Sequence, residues 1–201
     1  MNAEAPFVEL LAPHSSGEVL QRLARYAELL EKWSRHHNLV RYGSRGELVE
    51  RHLLDCLAAA PFLGKSGRLL DVGSGAGLPG VPLLTARPGW VGVLMEPRQK
   101  RWAFLRLVVR ELGLSAQVDR ARYQDFAGEI SWDVITARAV GDTPGLLAWA
   151  RPRVSTSGRV LLWTTENGEA ALDELRGWRV LSSSLPGLDR GRLVRLSPCS
   201  T

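Results

Sequence analysis

The chain has 201 residues, of which 45% are hydrophobic and 23% are charged, as is typical of a soluble globular protein with one well-formed core. Lys and Arg number 26 against 21 Asp and Glu, and the pI is about 9.8, a balance that favours a polyanionic partner such as nucleic acid. The two cysteines, Cys56 and Cys199, lie far apart, which excludes a disulfide framework and gives no metal-ligand spacing.

The first residues show no targeting signal. Met1 to Pro6 lack a basic segment followed by an apolar core, and no run of about 18 apolar residues occurs further along the chain. We therefore expect a cytoplasmic protein without a membrane partner. Nothing in the sequence demands more than a monomer.

Residues 1–65 are expected to form a helical cap. Apolar residues recur at spacings of three and four between about Gly17 and His37, with charged residues between them, which is the pattern of an amphipathic helix. A second helix is predicted from about Glu47 to Ala60. Within it Arg51 and Asp55 stand four positions apart and are expected to pair on one face.

Residues 66–201 show a different pattern, in which short apolar runs alternate with helix-length segments. This alternation predicts an α/β fold with a mostly parallel sheet that is covered on both faces. The last two runs flank Pro186–Asp189, which favours an antiparallel hairpin at the edge of the sheet. The predicted strands are Leu69–Val72, Val91–Met95, Ala116–Val118, Val134–Ala137, Val160–Trp163, Trp178–Ser183 and Arg192–Leu196, and the main predicted helices are Pro79–Ala86, Arg98–Leu112 and Gly145–Ala150.

A glycine-rich loop follows the first predicted strand. In Leu69–Gly80 an apolar run ends at Asp71, and glycines then occupy positions 73, 75, 77 and 80. Glycine accepts positive φ and lacks a Cβ, so backbone N–H groups in such a loop can close on a ligand. In open parallel sheets ligands bind at the carboxyl ends of the strands, so the loop marks the predicted site.

Two ligand classes compete for this loop. Residues Gly75–Gly80 match the G-x-G-x-x-G pattern of dinucleotide enzymes. Asp71, however, would oppose a pyrophosphate and suits a cationic cofactor, while Glu96 follows the second strand, where a carboxylate can accept both hydroxyls of a ribose. The combination of Asp71 before the loop and Glu96 after the second strand favours an S-adenosylmethionine-dependent methyltransferase. The structural alternative is that Asp71 only caps its own turn and that Glu96 is a solvated loop acid.

Arg138 is the candidate catalytic residue. It follows the fourth predicted strand and is therefore expected on the same rim as Asp71 and Glu96. A guanidinium there can hold a carbonyl or phosphate of a substrate, or the carboxylate of a cofactor. Alternatively, Arg138 pairs with Asp142 or Asp133 and ties down its own loop.

Basic residues are expected around the predicted site. Such side chains can hold the phosphates of a nucleic acid, although taken alone they are also explained as a solvated surface. The candidate RNA-binding residues are Arg41, Arg45, Arg51, Arg98, Lys100 and Arg101.

Longer motifs are more specific than the glycine pattern. The loop continues into Leu78-Pro79-Gly80-Val81-Pro82-Leu83, Arg51-His52-Leu53-Leu54-Asp55 precedes it, and Arg138-Ala139-Val140 follows it. With these motifs the chain resembles, from about Trp33 to Val140, the RsmG (GidB) family, methyltransferases of bacterial 16S ribosomal RNA.

The resemblance implies a Rossmann-like class I methyltransferase fold and transfer of a methyl group from S-adenosylmethionine to N7 of a guanine in 16S rRNA. It implies S-adenosylhomocysteine as the product and the RNA or the small ribosomal subunit as the partner. With the loop residues inferred above, the expected cofactor-binding residues are Asp71, Gly73, Gly75, Gly77, Leu78, Glu96, Tyr123, Gln124 and Arg138.

The sequence departs from the family pattern in three places. Glu96-Pro97 stands where Asp-Ser is usual, and Gln124 stands where Glu is usual. The stretch from Trp163 to Gly168 lacks the Lys-Gly common after the fifth strand. An adenine contact at Gln124 and a role for that Lys are therefore not transferred to this chain.

Guanine N7 carries a lone pair and no proton, so its methylation needs no general base. We therefore interpret His52 as a structural hydrogen-bond partner beside Asp55 and not as a catalytic base. Three other functions stay open on the sequence alone: a methyltransferase for a small molecule or a protein, with a pocket built by residues 1–65, a non-catalytic RNA-binding module, and a nucleotide-dependent dehydrogenase.

Overall fold

The computed structural model describes residues 4–126, 131–170, 172, 176–185 and 191–199. The strands are β1 (Gly67–Val72), β2 (Trp90–Met95), β3 (Ala116–Asp119), β4 (Trp132–Arg138), β5 (Val154–Thr165), β6 (Trp178–Ser184) and β7 (Gly191–Pro198). The helices are α1 (Phe7–Leu11), α2 (Gly17–His37), α3 (Arg45–Leu48), α4 (Asp55–Leu57), α5 (Gly80–Ala86), α6 (Gln99–Leu112), α7 (Thr143–Ala150) and α8 (Glu166–Ala170), with a π-helical segment at Val49–Leu54 and 3-10 turns at Ala60–Phe62 and Tyr123–Asp125.

The seven strands form one sheet in the order β3-β2-β1-β4-β5-β7-β6. Strand β1 pairs in parallel with β2 and β4, and β7 pairs antiparallel with β5 and β6. The mostly parallel sheet and its antiparallel edge hairpin are therefore confirmed, while the predicted turn Pro186–Asp189 lies outside the described residues. The winding reverses between β1 and β4, so the carboxyl ends of these two strands open the crevice where ligands bind in such sheets.

Helix α2 runs from Gly17 to His37, as predicted, and covers the first face of the sheet together with α5 and α6. Leu23, Tyr26 and Leu30 on its inner face are fully buried. The Tyr26 hydroxyl donates a hydrogen bond to the carbonyl oxygen of Ala76 at 2.8 Å. The N-terminal helices thus touch the glycine loop directly, while the domain boundary at residue 65 stays a prediction.

The predicted second helix is interrupted. The π-helical segment joins α3 to α4, and Arg51 pairs with Glu47 at 3.4 Å instead of with Asp55. Arg51 is exposed and its partner four positions away is Glu47, on the preceding turn, whereas the Asp55 side chain turns into the protein interior. The predicted pair of Arg51 and Asp55 is therefore wrong, and Asp55 is instead fully buried.

The second face of the sheet is covered only in part. Helix α7 packs there through Leu146 and Leu147, which are buried, but Val91 on β2 is 51% exposed. Among the described residues between β3 and β4, a short 3-10 turn at Tyr123–Asp125 stands where a covering helix would be needed. In the part of the chain that the structure describes, this face is thus covered at the end of β2, where Met95 is buried, but not at its start.

The longest helix is α2, and it carries many charged side chains. In the parts of the chain that the structure describes, no helix has the length and apolar character needed to cross a membrane.

Candidate functional site

The glycine loop connects β1 to α5 at the carboxyl end of the sheet. Gly73, Gly75 and Gly77 have φ values of +68°, +58° and +96°, which side chains with a Cβ rarely adopt. A Cβ at Gly77 would also lie 2.7 Å from Cγ2 of Val81. The loop thus requires glycine at these positions, and its close turn follows directly from the sequence.

Asp71 is fully buried at the end of β1 and forms a hydrogen bond to the end of the glycine loop. Its Oδ2 accepts the backbone N–H of Gly80 at 3.1 Å, and its Oδ1 accepts the hydroxyl of Thr136 at 2.7 Å. Burial raises the pKa of Asp71 to about 6, partly offset by these hydrogen bonds. The carboxylate therefore caps its own loop, and any part it has in binding a cationic cofactor is through its charge.

We predict that replacing Asp71 with Asn changes the pH dependence of stability. The amide can keep both hydrogen bonds with Thr136 and Gly80, but it carries no charge to bury. Because the folded pKa of Asp71 lies above its unfolded value, its stabilising contribution is present at low pH and is lost as the pH rises through about 6. Between pH 8 and pH 5 the wild type should gain about 1 to 1.5 kcal/mol in unfolding free energy relative to the variant.

Denaturant titrations of both proteins at several pH values measure this difference. All other ionisable groups contribute equally to wild type and variant, so they cancel. A difference that does not vary with pH would show that the buried Asp71 carboxyl has an ordinary pKa.

Glu96 follows β2 and is only 3% exposed, so it is not a solvated loop acid. Its Oε2 accepts the backbone N–H of Gly75 at 2.9 Å, and its Oε1 accepts that of Arg98 at 2.8 Å. The carboxylate thereby ties the glycine loop to the start of α6. Each oxygen retains a further lone pair, so the group can still accept the hydroxyls of a ribose.

Arg138 ends β4 and reaches back to the N-terminal helices. Its Nη2 donates to the carbonyl oxygen of Arg51 at 3.4 Å and to Nδ1 of His52 at 3.2 Å, and its Nη1 donates to Sγ of Cys56 at 3.6 Å. The alternative pairing with Asp142 or Asp133 is not formed. Those carboxylates accept backbone N–H groups elsewhere, from Gly145 and Arg68 respectively.

His52 is a neutral acceptor for Arg138. Because a guanidinium only donates, Nδ1 of His52 must accept, and Nε2 then donates to the carbonyl oxygen of Arg41 at 3.1 Å. Burial and the nearby Arg138 charge lower the pKa of His52, which favours this neutral form. A structural role is thus supported, but the partner is Arg138 and not Asp55, whose carboxylate has no hydrogen-bond partner in the described part of the chain.

Replacing His52 with Ala is expected to lower kcat about tenfold by releasing one side of Arg138. His52→Asn keeps an acceptor near the position of Nδ1 and should restore most of the activity. Rates of methyl transfer and S-adenosylhomocysteine affinity, measured for both variants, test this prediction. Equal losses in the Ala and Asn variants would contradict a role for His52 in positioning Arg138.

Tyr123 and Gln124 lie beyond the end of β3, in a 3-10 turn. Tyr123 is buried against Trp149, with ring centroids 5.4 Å apart, and burial raises its pKa. Gln124 is exposed. The structure thus places Gln124 at the same end of the sheet as Glu96, while the Tyr123 ring packs with the buried residues under α7 on the second face of the sheet.

The candidate RNA-binding residues differ in their surroundings. Arg41, Arg98 and Lys100 are exposed. Arg51 is also exposed and pairs with Glu47. Arg101 is half-buried, and its Nη1 lies 3.3 Å from where a Cβ of Gly75 would be, next to the glycine loop.

Arg45 is already engaged within the protein. Its Nε and Nη2 each lie 2.9 Å from a carboxylate oxygen of Glu31, and its guanidinium sits over the Phe7 ring. We therefore assign Arg45 to holding the N-terminal helices together and leave it out of the proposed RNA surface.

A cavity of about 440 Å³ opens beside the glycine loop, at the carboxyl ends of β4 and β5. Val140 belongs to its wall and lies 3.7 Å from where a Cβ of Gly73 would be, so the loop and the cavity adjoin. Sequence reasoning missed this cavity, although Arg138 and the stretch after β5 were singled out. The described residues of its wall are Asp55, Ala137, Arg138, Ala139, Val140, Thr143, Leu162, Trp163, Thr164, Thr165, Leu185 and Gly191.

No cluster of three or more His, Cys, Asp or Glu side chains that could hold a metal ion occurs among the residues described. The arrangement is instead a glycine loop with a buried acid on each side, next to a cavity whose described wall includes the Arg138 guanidinium. It can hold a cofactor across the ends of β1 and β2 and an acceptor molecule at the ends of β4 and β5.

Comparison with solved structures identifies the fold. A methyltransferase from Geobacter sulfurreducens superposes with a TM-score of 0.64 at 15% identity, covering 87% of this chain and 89% of that one. A variant of MtNAS, solved in complex with S-adenosylmethionine, superposes with a TM-score of 0.61 at 21% identity, covering 89% and 72%. The predicted Rossmann-like class I methyltransferase fold is thus confirmed.

Sequence comparison gives the family. Proteins named ribosomal RNA small subunit methyltransferase G match from Kineococcus radiotolerans at 40% identity, covering 79% of this chain and 62% of the relative, and from Laribacter hongkongensis at 36% identity, covering 87% and 86%. The family model GidB, described as rRNA small subunit methyltransferase G, matches residues 19–183. The chain therefore belongs to the GidB family of rRNA small subunit methyltransferases.

Proposed function

We propose that this protein transfers a methyl group from S-adenosylmethionine to N7 of one guanine in the 16S rRNA of the small ribosomal subunit. The observation that carries the proposal is the family match over residues 19–183, joined to a site with the parts that such a reaction needs. The RNA substrate makes the cytoplasm the proposed location of the reaction.

The residues around the glycine loop fit S-adenosylmethionine. Gly73 is exposed, and apart from its chain neighbours the described residue within 4 Å of the position of its missing Cβ is Val140, so a ligand can approach the backbone closely. Glu96 would accept the ribose hydroxyls, and the buried charge of Asp71 favours a cationic ligand over a pyrophosphate. Gly75, Gly77, Leu78, Tyr123 and Gln124 complete the proposed cofactor site.

When bound, S-adenosylmethionine supplies an electrophilic methyl group on a sulfonium. Guanine N7 needs no deprotonation, so the protein's task is alignment of the two partners, which contributes up to about 7–11 kcal/mol to the lowering of a reaction barrier. We assign to Arg138 the role of holding either guanine O6 or the cofactor carboxylate beside the cavity. The same apolar cavity wall, with Leu162 and Trp163, excludes water from the reacting atoms.

We assign the phosphate contacts to Arg41, Arg51, Arg98, Lys100 and Arg101. Arg98 and Lys100 are exposed at the start of α6, directly after the Glu96 anchor of the glycine loop. Contacts of this kind position an RNA without reading its sequence.

Lys100→Glu is expected to raise the KM for the RNA substrate about tenfold and to reduce the salt dependence of binding, since one phosphate contact is lost. Arg110→Glu makes the same charge change at the far end of α6, where the side chain is exposed, and serves as the matched control. S-adenosylhomocysteine affinity should not change in either variant. Equal effects of the two substitutions would contradict a specific phosphate contact at Lys100.

The experiment that tests the function is mapping of N7-methylguanine in 16S rRNA from cells with and without the gene. We expect one guanine to be methylated only when the gene is present, and purified protein with S-adenosylmethionine to restore the mark on small subunits from the deletion strain. An unchanged methylation map would favour a small-molecule or protein substrate. Thermal-shift titration with S-adenosylhomocysteine and NAD separates the methyltransferase from a dehydrogenase and from a non-catalytic RNA-binding module.

A further inference from the structure

Asp55 is a buried acid without a hydrogen-bond partner in the described part of the chain. It is the first residue of α4, its side chain is fully buried, and neither carboxylate oxygen has a hydrogen-bond partner there. Its backbone carbonyl oxygen accepts the indole N–H of Trp163 at 3.0 Å, which fixes the residue against β5. The carboxylate is thus held in place without being neutralised.

Such an arrangement is costly in a folded protein. A carboxylate that leaves water without gaining hydrogen bonds loses much of its solvation free energy. Burial accordingly raises the pKa of Asp55 to about 6, and the charge of nearby Arg138 offsets only part of this effect. A ligand that brings hydrogen-bond donors to Asp55 would recover this free energy.

Asp55 forms part of the wall of the 440 Å³ cavity, together with Arg138 and the end of β5 at Thr164 and Thr165. The volume falls in the range of small-ligand pockets, and a nucleobase taken out of its stack enters pockets of this kind. Among the described residues of this wall, Asp55 supplies a carboxylate and Arg138 a guanidinium. The cavity can therefore select a base by the donors and acceptors along its edge.

Guanine matches these two groups. Its N1–H and 2-amino groups are adjacent donors that one carboxylate can accept together, and its O6 is an acceptor for a guanidinium. N7 lies on the opposite side of the purine, so binding of the N1 and 2-amino edge leaves N7 free. Adenine presents an acceptor at N1 and no 2-amino group, and a carboxylate therefore disfavours it.

Resting on the proposed function, we propose that Asp55 accepts the N1–H and 2-amino groups of the target guanine and is the residue that selects guanine as the methyl acceptor. Arg138 then faces O6 from the same wall.

The test removes the 2-amino group from the substrate and the carboxylate from the protein, separately and together. Small subunits are reconstituted with 16S rRNA that carries guanosine or, by ligation, inosine at the mapped position. Inosine keeps N1–H, O6 and N7 but lacks the 2-amino group. For the wild type we expect kcat/KM to fall at least about tenfold on inosine RNA, because a hydrogen bond to a charged group is lost.

For Asp55→Asn we expect a lower kcat/KM on guanosine RNA and almost no further loss on inosine RNA. The amide has only one acceptor and turns a donor towards the other donor of guanine. Asp133→Asn is the matched control, because Asp133 accepts the backbone N–H of Arg68 at the opposite end of the strands. It should show the same inosine penalty as the wild type.

If the wild type methylates inosine RNA as fast as guanosine RNA, the inference is wrong. This experiment uses the wild-type protein alone, so it does not depend on whether a variant folds. An equal inosine penalty in wild type and Asp55→Asn would also overturn it, since the two changes would then act independently. Failure of the wild type to methylate guanosine RNA at all would instead contradict the proposed function.

Discussion

Arg138→Ala is expected to lower kcat/KM at least about a hundredfold, the usual effect of removing a preorganised charged donor from an active site. Arg138 lies in the cavity wall, and most of the described residues around it there are apolar. Its guanidinium is therefore the group of this described wall that can donate hydrogen bonds from a fixed charge. Its removal leaves either guanine O6 or the cofactor carboxylate without its donor. The cavity itself stays, so binding of RNA to the outer surface should change little.

The same substitution should cost only about 1–2 kcal/mol in unfolding free energy, because the contacts with Arg51, His52 and Cys56 are long and partly exposed. Thermal unfolding and S-adenosylhomocysteine titration therefore separate a folding defect from a catalytic one. Arg138→Lys keeps the charge but not the planar fork, and we expect it to be intermediate in rate. A folded Arg138→Ala protein with normal activity would exclude the proposed role.

The sequence was sufficient for the positions of the strands around the site and for the glycine loop, because both depend on local patterns. The predicted run Val91–Met95 differs from β2 by one residue, and Gly73, Gly75 and Gly77 have the positive φ expected of a glycine-rich loop. The start of β5 differs more from its prediction. Strand β5 starts at Val154, well before the predicted Val160, because Val154 pairs with Trp132 across an irregularity in the ladder.

Contacts between distant segments could not be predicted. His52 and Arg138 are 86 positions apart, and the histidine and the Arg51 carbonyl that contact the guanidinium both lie in the π-helical segment Val49–Leu54. The i, i+4 spacing predicts a side-chain pair of Arg51 and Asp55 on the helix surface. It does not show that Asp55 is buried in the cavity wall. The residues of the site were thus predictable by type and position, while their partners were not.

For the surface arginines, too, the sequence does not show which side chains have partners within the protein. Arg41 and Arg45 are alike in sequence context, yet Arg41 is exposed and Arg45 is bound by Glu31 from α2. A count of basic residues near a motif cannot distinguish the two, because the partner acid comes from another helix.

Gly80→Ala should be among the most destabilising single-methyl changes in the chain. Gly80 starts α5, and a Cβ there would lie 2.6 Å from Oδ2 of Asp71 and 2.6 Å from Cδ2 of Leu94. Both neighbours are fully buried in adjacent strands, so neither can move without disturbing the sheet. We expect a loss of about 3 kcal/mol or more in unfolding free energy, since overpacking here also breaks a hydrogen bond to a buried carboxylate.

The effect should extend to function, because the bond from the Gly80 N–H to Asp71 holds the carboxyl end of β1 against the glycine loop. Any folded Gly80→Ala protein is expected to bind S-adenosylhomocysteine at least about tenfold more weakly. Gly46→Ala adds the same methyl group in α3, where the nearest atom is 3.8 Å away, and should be neutral or stabilising by up to about 1 kcal/mol. Denaturant titrations and cofactor binding of the two variants measure both effects. If Gly80→Ala and Gly46→Ala have similar unfolding free energies, then the methyl group fits beside Asp71 and Leu94, and the prediction is wrong.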